Sequence, residues 1–245
     1  MTGEPILEGG ILAAGTGSRL RRAGLTMPKP MVPVAGTPLI QRVIGNFVAA
    51  GIQSLVIIFN ERERDCAEWV RSRFPALDLR FIVKTTGSSL ESFLEVANTI
   101  GPRRALISTV DAWCPEPDFV QFVDAARRFP LDAVVLAVTP FVADERPLWV
   151  SLDEAGRVRR LGGDSGELVT AGMYLVPARL ATLSPPTRLG SLRDFLAWLV
   201  ARGEPTYGVT IQAVIDVDRP DDVTLAETMV QRAARSSPPS SGENA

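Results

Sequence analysis

The chain of 245 residues contains no histidine. That absence removes the Ser-His-Asp and Cys-His routes of nucleophilic catalysis and every His-ligated metal site. Carboxylates, Lys, Arg and backbone amides remain as the chemical repertoire. Such groups suit phosphate and hard cations, and oxygen-only ligands favour Mg2+, which takes one or two protein carboxylates plus substrate phosphates. Cysteine is scarce as well: Cys66 and Cys114 stand too far apart for a disulfide scaffold or a zinc cluster and read as ordinary thiols. No apolar run approaches the roughly 20 residues of a spanning helix. The opening Met1-Thr2-Gly3-Glu4-Pro5 lacks a basic stretch followed by an apolar one. No membrane partner and a cytoplasmic location are therefore expected. The formal charge of −2, with basic residues scattered apart from Arg19, Arg21 and Arg22, gives no general attraction to nucleic acid.

What is present is a core-rich chain, 46% hydrophobic, organised around the stretch from Gly9 to Pro38. Pro5 to Ala14 is mostly apolar without helical periodicity, as in a buried strand, and it runs into Gly15-Thr16-Gly17-Ser18. A loop of small residues leaves its amide N–H groups open to a polyphosphate, and Arg19 with Lys29 adds positive charge. A tight turn alone would account for Gly15 and Gly17. The dinucleotide fingerprint is absent, because Leu20 stands where it needs a third glycine, and there is no Gly-Lys-Ser/Thr of a P-loop.

Further elements follow in order. Pro38 to Ala50 has apolar residues at helical spacing and closes at Gly51. Ser54 to Phe59, Leu79 to Val83, Arg104 to Val110 and Ala133 to Val138 read as strands. Helices are expected over 61–74, from the Lys84–Ser92 segment through Asn98, and over 119–129. Strands alternating with helices predict a mostly parallel sheet sandwiched by helices, an α/β doubly wound fold whose ligands sit at the carboxyl ends of the strands. Pro147 to Leu152 and Arg157 to Leu161 read as a hairpin, and Leu168 to Val176 as a strand. Leu189 to Arg202 reads as an amphipathic helix. Pro205 to Val209 and Gln212 to Ile215 are late strands, the second leading to Asp216 and Asp218, and Pro220 opens a last helix running to about Arg235. Ser236 to Ala245, rich in Ser and Pro, reads as a disordered tail. Ser88 with Glu91 has the spacing of a capping box.

The combination of Gly15-x-Gly17-x-Arg19-Leu20 with Pro28-Lys29-Pro30 and then Gly36-Thr37-Pro38 resembles the signature of the NDP-sugar pyrophosphorylases, the sugar-phosphate nucleotidyltransferases, particularly the short bacterial type. The resemblance implies a Rossmann-like nucleotidyltransferase domain over residues 1–235, with a nucleotide-binding half at 5–140 and acceptor-binding elaborations at 141–235. It implies an NTP and a small phosphorylated acceptor, a sugar 1-phosphate above all, as partners, with Mg2+ as cofactor. Arg19 and Lys29 would carry catalytic charge. Leu12, Ala13, Ala14, Gly15, Thr16, Gly17 and Ser18, with Thr86, Gly87 and Ser88, would hold the nucleotide. Gly172 and Tyr174 would face the acceptor, and Asp111, at the end of its strand, would hold the metal. Either Asp216 or Asp218 would supply the second carboxylate, with Asp216 favoured because Asp218 has a competing job as cap of the last helix. The family's Glu-Lys pair before the strand at Leu168 is missing here; Arg157, Arg159 and Arg160 are the replacements on offer. Cytidylyl or guanylyl transfer to a non-sugar acceptor is a second reading, and a catalytically silent nucleotide-sugar binder a third.

Overall fold

A computed structural model describes residues 8–143 and 146–236. The expected tail from 237 onward and the first residues of the Pro5–Ala14 strand lie outside the described residues. The chain opens with β1 (Glu8–Ala13) and a short helix α1 (Ser18–Arg22), then a small ribbon of β2 (Pro33–Val34) and β3 (Thr37–Pro38). Helix α2 (Leu39–Ala49), β4 (Ser54–Phe59), α3 (Arg64–Arg73), β5 (Asp78–Val83), α4 (Ser89–Ile100) and β6 (Ala105–Thr109) complete the first half. There follow β7 (Ala112–Trp113), α5 (Glu116–Ala126), β8 (Val134–Thr139), β9 (Trp149–Leu152), β10 (Val158–Leu161) and β11 (Leu168–Val176). Helix α6 (Leu192–Ala201), β12 (Thr206–Thr210), β13 (Ile215–Asp216) and α7 (Pro220–Ser236) end the described chain.

Among the described residues the main sheet has nine strands, and its backbone order is β5-β4-β1-β6-β11-β8-β12, with the β9–β10 ribbon laid against the start of β11. Every neighbouring pair along this order is parallel except the two that involve β11, which runs against both β6 and β8. Successive side chains of a strand point to opposite faces, so a sheet covered on both sides needs apolar residues at every position. The strands meet that demand. In β4, Leu55, Ile57 and Phe59 pack into the core layer that contains α2, α3 and α5, while Val56 and Ile58 pack into the layer of α4 and α6. The same split divides Ile11 from Leu12 in β1 and Val135 from Leu136 in β8. The mostly parallel, doubly wound sandwich is therefore present.

One expected strand is not. Gln212 to Ile215 is mostly loop, and only Ile215–Asp216 is extended, paired antiparallel with Ala112–Trp113 instead of with the main sheet. This small ribbon lies just past the carboxyl end of β6. Among the described residues no helix is long and apolar enough to cross a membrane.

Candidate active site

Strand β1 delivers the chain into an exposed turn at the carboxyl edge of the sheet. Leu12, Ala13 and Ala14 are buried at the strand's end, whereas Gly15, Thr16 and Ser18 are exposed. Gly17 is left-handed, with φ of 58°, and a Cβ there would stand 3.0 Å from the Cβ of Lys29. Both facts require glycine. Buried Leu20 anchors α1, and the Arg21 guanidinium donates to the Thr16 carbonyl, fixing the turn from outside.

The conformation around Lys29 changes at the lysine itself. Pro28 is extended, with φ −55° and ψ 140°, but Lys29 to Met31 forms a turn of 3-10 helix, because Pro30 fixes a φ compatible with a first helical turn. That turn buries Lys29 to 6% exposure and aims its ammonium inward. Nζ lies 2.6 Å from Asp111 and also donates to Asp218, whose other oxygen accepts from Arg19. Burial alone would lower the lysine's pKa, but Asp111, Asp218 and Asp216 overrule it and hold it raised. Conversely, burial would raise the pKa of Asp111, yet the ammonium beside it holds its carboxyl below the usual range.

The β7–β13 ribbon assembles the aspartates. Asp216 pairs with Ala112 across it, and the N–H of Val217 donates to the Asp111 carbonyl at 3.0 Å. Carboxylate oxygens of Asp111, Asp216 and Asp218 all lie within 4.8 Å of one another. Val110, just before Asp111, is buried, and its N–H donates to the Leu12 carbonyl at 3.0 Å. The cap assigned to Asp218 belongs to a different residue. The Asp222 carboxylate takes the N–H groups of Asp218 and Arg219 at 2.9 and 2.8 Å, leaving the Asp218 carboxylate to the cations. A hard divalent cation fits this donor set, since it consists of oxygen alone and carries more acid than Lys29 and Arg19 offset.

The cap at α4 is as its sequence suggested. Ser88 Oγ accepts from the N–H of Glu91 at 3.1 Å, and the Glu91 carboxylate reaches back to the N–H of Gly87 at 2.7 Å, which with Lys84 lowers its pKa. The hydroxyls of Thr86 and Ser92 bond at 2.7 Å. Thr86, Gly87 and Ser88 therefore have structural work in the entry to α4, on the same sheet edge as the Gly15 turn.

Beside Asp111 and Asp216 opens a pocket of about 200 Å3 lined by Gly172, Tyr174 and the hydroxyl residues Ser89, Thr109, Thr139 and Thr170. Strand β11 shifts register against β8 between Thr170 and Tyr174. Gly172 has φ of 70°, and a Cβ on it would stand 2.7 Å from both the Thr109 hydroxyl and the Ala112 Cβ. The glycine thus lets the bulged strand pass directly against the ribbon that bears the aspartates.

The hairpin arginines do not reach this pocket. Arg159 pairs with Asp153 at 2.8 Å, Arg160 donates to the Ser165 carbonyl and Arg157 to that of Gly203. Among the described residues the cation lining the pocket is Arg193 of α6, and Phe141 from the loop after β8 lines it too. Sequence reasoning missed both. Arg193 falls on a helix whose visible signal is its apolar stripe, and no spacing links it to Asp111.

Comparison with known proteins bears on the family and the fold. Residues 9–168 match the family described as the MobA-like NTP transferase domain. The chain is 30% identical over an alignment of 251 positions to the bifunctional IPC transferase and DIPP synthase of Rubrobacter xylanophilus, covering 94% of this chain and 53% of that protein. It thus spans about half the length of that relative. Among solved structures, the inositol-1-phosphate CTP transferase from T. maritima superposes with a TM-score of 0.81 at 19% identity, over 94% of this chain and 97% of that one. A UDP-glucose pyrophosphorylase complexed with UDP-glucose superposes with a TM-score of 0.74 at 15% identity, over 94% and 100%. The fold is that of the sugar-phosphate nucleotidyltransferases, and the chain belongs to the MobA-like NTP transferase domain family.

Proposed function

From that membership and the geometry at the sheet edge, we propose that the chain transfers a nucleotidyl group from an NTP to a small phosphate monoester and releases pyrophosphate. The observation that carries this reading is the placement of Lys29 and three aspartates between the Gly15–Ser18 turn on one side and a hydroxyl-lined pocket on the other. The turn offers amide donors to a triphosphate, and Lys29 with Arg19 supplies charge where it accumulates in the transition state. An oxygen of the acceptor phosphate forms the new bond to the α-phosphorus while the bond to the β-phosphate's bridging oxygen breaks. The acceptor is already ionised at neutral pH, so no general base is needed, in keeping with a chain without histidine. Asp111 and Asp216 would hold Mg2+, which would polarise the phosphate oxygens. Asp218, with both oxygens committed to Lys29 and Arg19, would position those two cations.

The hydroxyl lining suits a polyhydroxylated acceptor. CTP with a cyclitol 1-phosphate is the first pair to test, supported by the name of the T. maritima transferase and by the full-length overlap with it. A sugar 1-phosphate is the second reading, supported by the shared fold with the UDP-glucose enzyme. Pyrophosphate release should be measured across four NTPs, with inositol 1-phosphate and glucose 1-phosphate as acceptors, with and without Mg2+. Turnover of at least one pair, abolished by EDTA, is expected. No turnover with any pair, together with a thermal shift by nucleotide sugars, would reassign the chain as a silent binder.

A further inference from the structure

The two ends of the main sheet are finished differently. At one end, the outer strand β12 is covered by the chain just ahead of β10: Arg157 bridges to Tyr207, and the N–H of Gly208 donates to the Gly156 carbonyl at 2.9 Å. At the other end β5 pairs with β4 and, among the described residues, with no second strand. The N–H groups of Asp78 and Lys84 donate to the carbonyls of Gln53 and Phe59 on the β4 side, at 3.0 and 2.9 Å. Backbone groups alternate in direction along a strand, so Leu79, Phe81 and Val83 turn their N–H and C=O groups to the open side.

A bare edge ordinarily carries a guard: a proline, a bulge, a very short strand or a charge standing on it. Strand β5 runs six residues in unbroken register with β4, and none of them is proline or glycine. Its central charge does not stand at the edge, since Arg80 is drawn back to Glu8 and to the Thr99 carbonyl. The remaining charges lie at the two ends, on exposed Asp78 and on Lys84, whose side chain is 43% exposed. That pattern is self-complementary. Two copies of β5 laid antiparallel with Phe81 opposite Phe81 bring Leu79 opposite Val83, so every outward N–H and C=O group of both copies is hydrogen-bonded across the join. The same register sets Asp78 of each copy opposite Lys84 of the other and leaves Arg80 opposite Ile82. Sliding one copy by two residues sets Arg80 against Arg80 in one direction and against Lys84 in the other, where like charges oppose pairing. On the other face of the strand, Leu79 and Phe81 already pack on the core beside α3, with the Arg71 guanidinium 4.9 Å over the Phe81 ring. With Val83 they extend across the join as one apolar row.

We infer that β5 is the interface for a second copy of this chain, the two strands pairing antiparallel about a two-fold axis through Phe81 so that two sheets become one. A closed two-fold pair leaves neither edge bare. The surface lies on the flank of the sheet, and its assignment does not rest on the nucleotidyl-transfer reading.

Analytical ultracentrifugation of the full chain tests this over about 1 to 200 μM, the span in which an edge pair of this size is expected to dissociate. The wild type should pass from monomer to dimer across that range. Val83→Pro keeps the bonds to β4, because the N–H it removes points outward, and should weaken the dimer at least about thirtyfold. Asp78→Lys and Lys84→Glu each set like charges at both ends of the join and should each weaken it about tenfold or more. Mixed in equal amounts, these two variants regain an opposite-charge pair at both ends, and the mixture should dimerise within about threefold of wild type. Rescue by mixing is a result that no merely structural effect of either substitution can give. Far-UV circular dichroism checks that each variant is folded, and if Val83→Pro is not, the charge variants and their mixture decide alone. A wild type that stays monomeric throughout would overturn the inference and leave the edge to a strand of another protein. A dimer left intact by folded Val83→Pro, or a mixture no tighter than either charge variant by itself, would overturn it as well.

Discussion

Two charge clusters stand at opposite ends of the same strands. At the amino end, buried Glu8 of β1 is clasped by Arg80 of β5 and by Arg103, with Ser54 of β4 also bonding to its carboxylate. At the carboxyl end, buried Lys29 is clasped by Asp111 and Asp218, with Asp216 close by. The first cluster is a buried acid whose partners are substantially exposed cations, so any surplus charge is solvated. The second is a buried cation among acids that outnumber it and its neighbour Arg19. Balanced, satisfied charges hold structure, whereas a crowded surplus of one sign is tolerated where a ligand of the other sign arrives. The difference predicts that the amino-end cluster governs stability and the carboxyl-end cluster governs turnover.

The largest test of that contrast is Asp111→Asn. The shape is kept and Asn caps turns as well as Asp, so a turn-capping role predicts little change. A ligand role predicts a loss of turnover greater than about 10^3-fold, from several kcal/mol of transition-state charge stabilisation. Steady-state rates with a Mg2+ titration decide it, and retained Mg2+-dependent turnover would return Asp111 to a structural part.

Lys29→Ala comes next, with turnover expected to fall about 10^2- to 10^3-fold, as for loss of one preorganised donor. Its effect on stability follows from the burial. Without the ammonium, Asp111 loses its cation partner among carboxylates that lie within 4.8 Å of one another, and Arg19 alone is left to offset them. The pKa of Asp111, which the ammonium holds down against burial, should then rise, so that the folded variant binds protons more readily than the unfolded chain and gains stability as pH falls. The melting temperature of Lys29→Ala should be lower than wild type at pH 8, approach it near pH 5, and rise more steeply with Mg2+. A variant whose melting is insensitive to both pH and Mg2+ would break the picture of an over-acidic cluster.

A smaller effect separates the two late aspartates. Asp216→Asn should raise the Mg2+ requirement sharply, whereas Asp218→Asn, which loosens Lys29 and Arg19, should lower turnover about tenfold without changing that requirement. The reverse pattern would make Asp218 the metal ligand.

Much of this carboxyl-end site was legible in the sequence because its parts are local. The turn at Gly15, the lysine between prolines and an aspartate at the end of a buried strand are each signalled by neighbours within a few positions. What was not legible depended on long-range pairing. Asp216 and Asp218 meet Asp111 through a two-residue ribbon that no periodicity can announce. The cap of α7 fell to Asp222 because Lys29 and Arg19, remote in sequence, had already claimed Asp218. Arg193 enters the pocket from a helix readable only by its apolar stripe. The same holds for the fold: the alternation of strands and helices gave the sandwich, but the antiparallel insertion of β11 between β6 and β8 is a choice of partner.

At the amino end, Glu8→Gln should cost about 1–2 kcal/mol, the range for charge-assisted hydrogen bonds weakened while shape is kept. It should leave kcat and KM within twofold. The two arginines it releases remain substantially exposed, with side-chain exposures of 38% and 59%, so no buried charge is orphaned. Chemical denaturation beside kinetics checks this, and a kinetic defect without a stability loss would erase the division of labour between the clusters.

The smallest expected effect lies at a third acid that belongs to neither pattern. Glu63, between β4 and α3, is 6% exposed, and its Oε2 has no hydrogen-bond partner, while its Oε1 is 3.9 Å from Arg21. Burial raises its pKa, and Arg21 and Lys29 only partly oppose that. For an acid, a folded pKa above the unfolded value of about 4.3 means that the folded chain holds the proton more tightly. Its contribution to stability is therefore full below that value and is lost as pH rises through the folded pKa. Glu63→Gln lacks this loss. Its stability should equal wild type at about pH 4 and exceed it by about 1 kcal/mol at pH 7, the scale of one buried unsatisfied group. Denaturation midpoints at both pH values supply the measurement. If Glu63→Gln is instead the less stable form at pH 7, the ion pair with Arg21 outweighs desolvation, and Glu63 belongs with Glu8 as a satisfied structural acid that braces the Gly15 turn through Arg21.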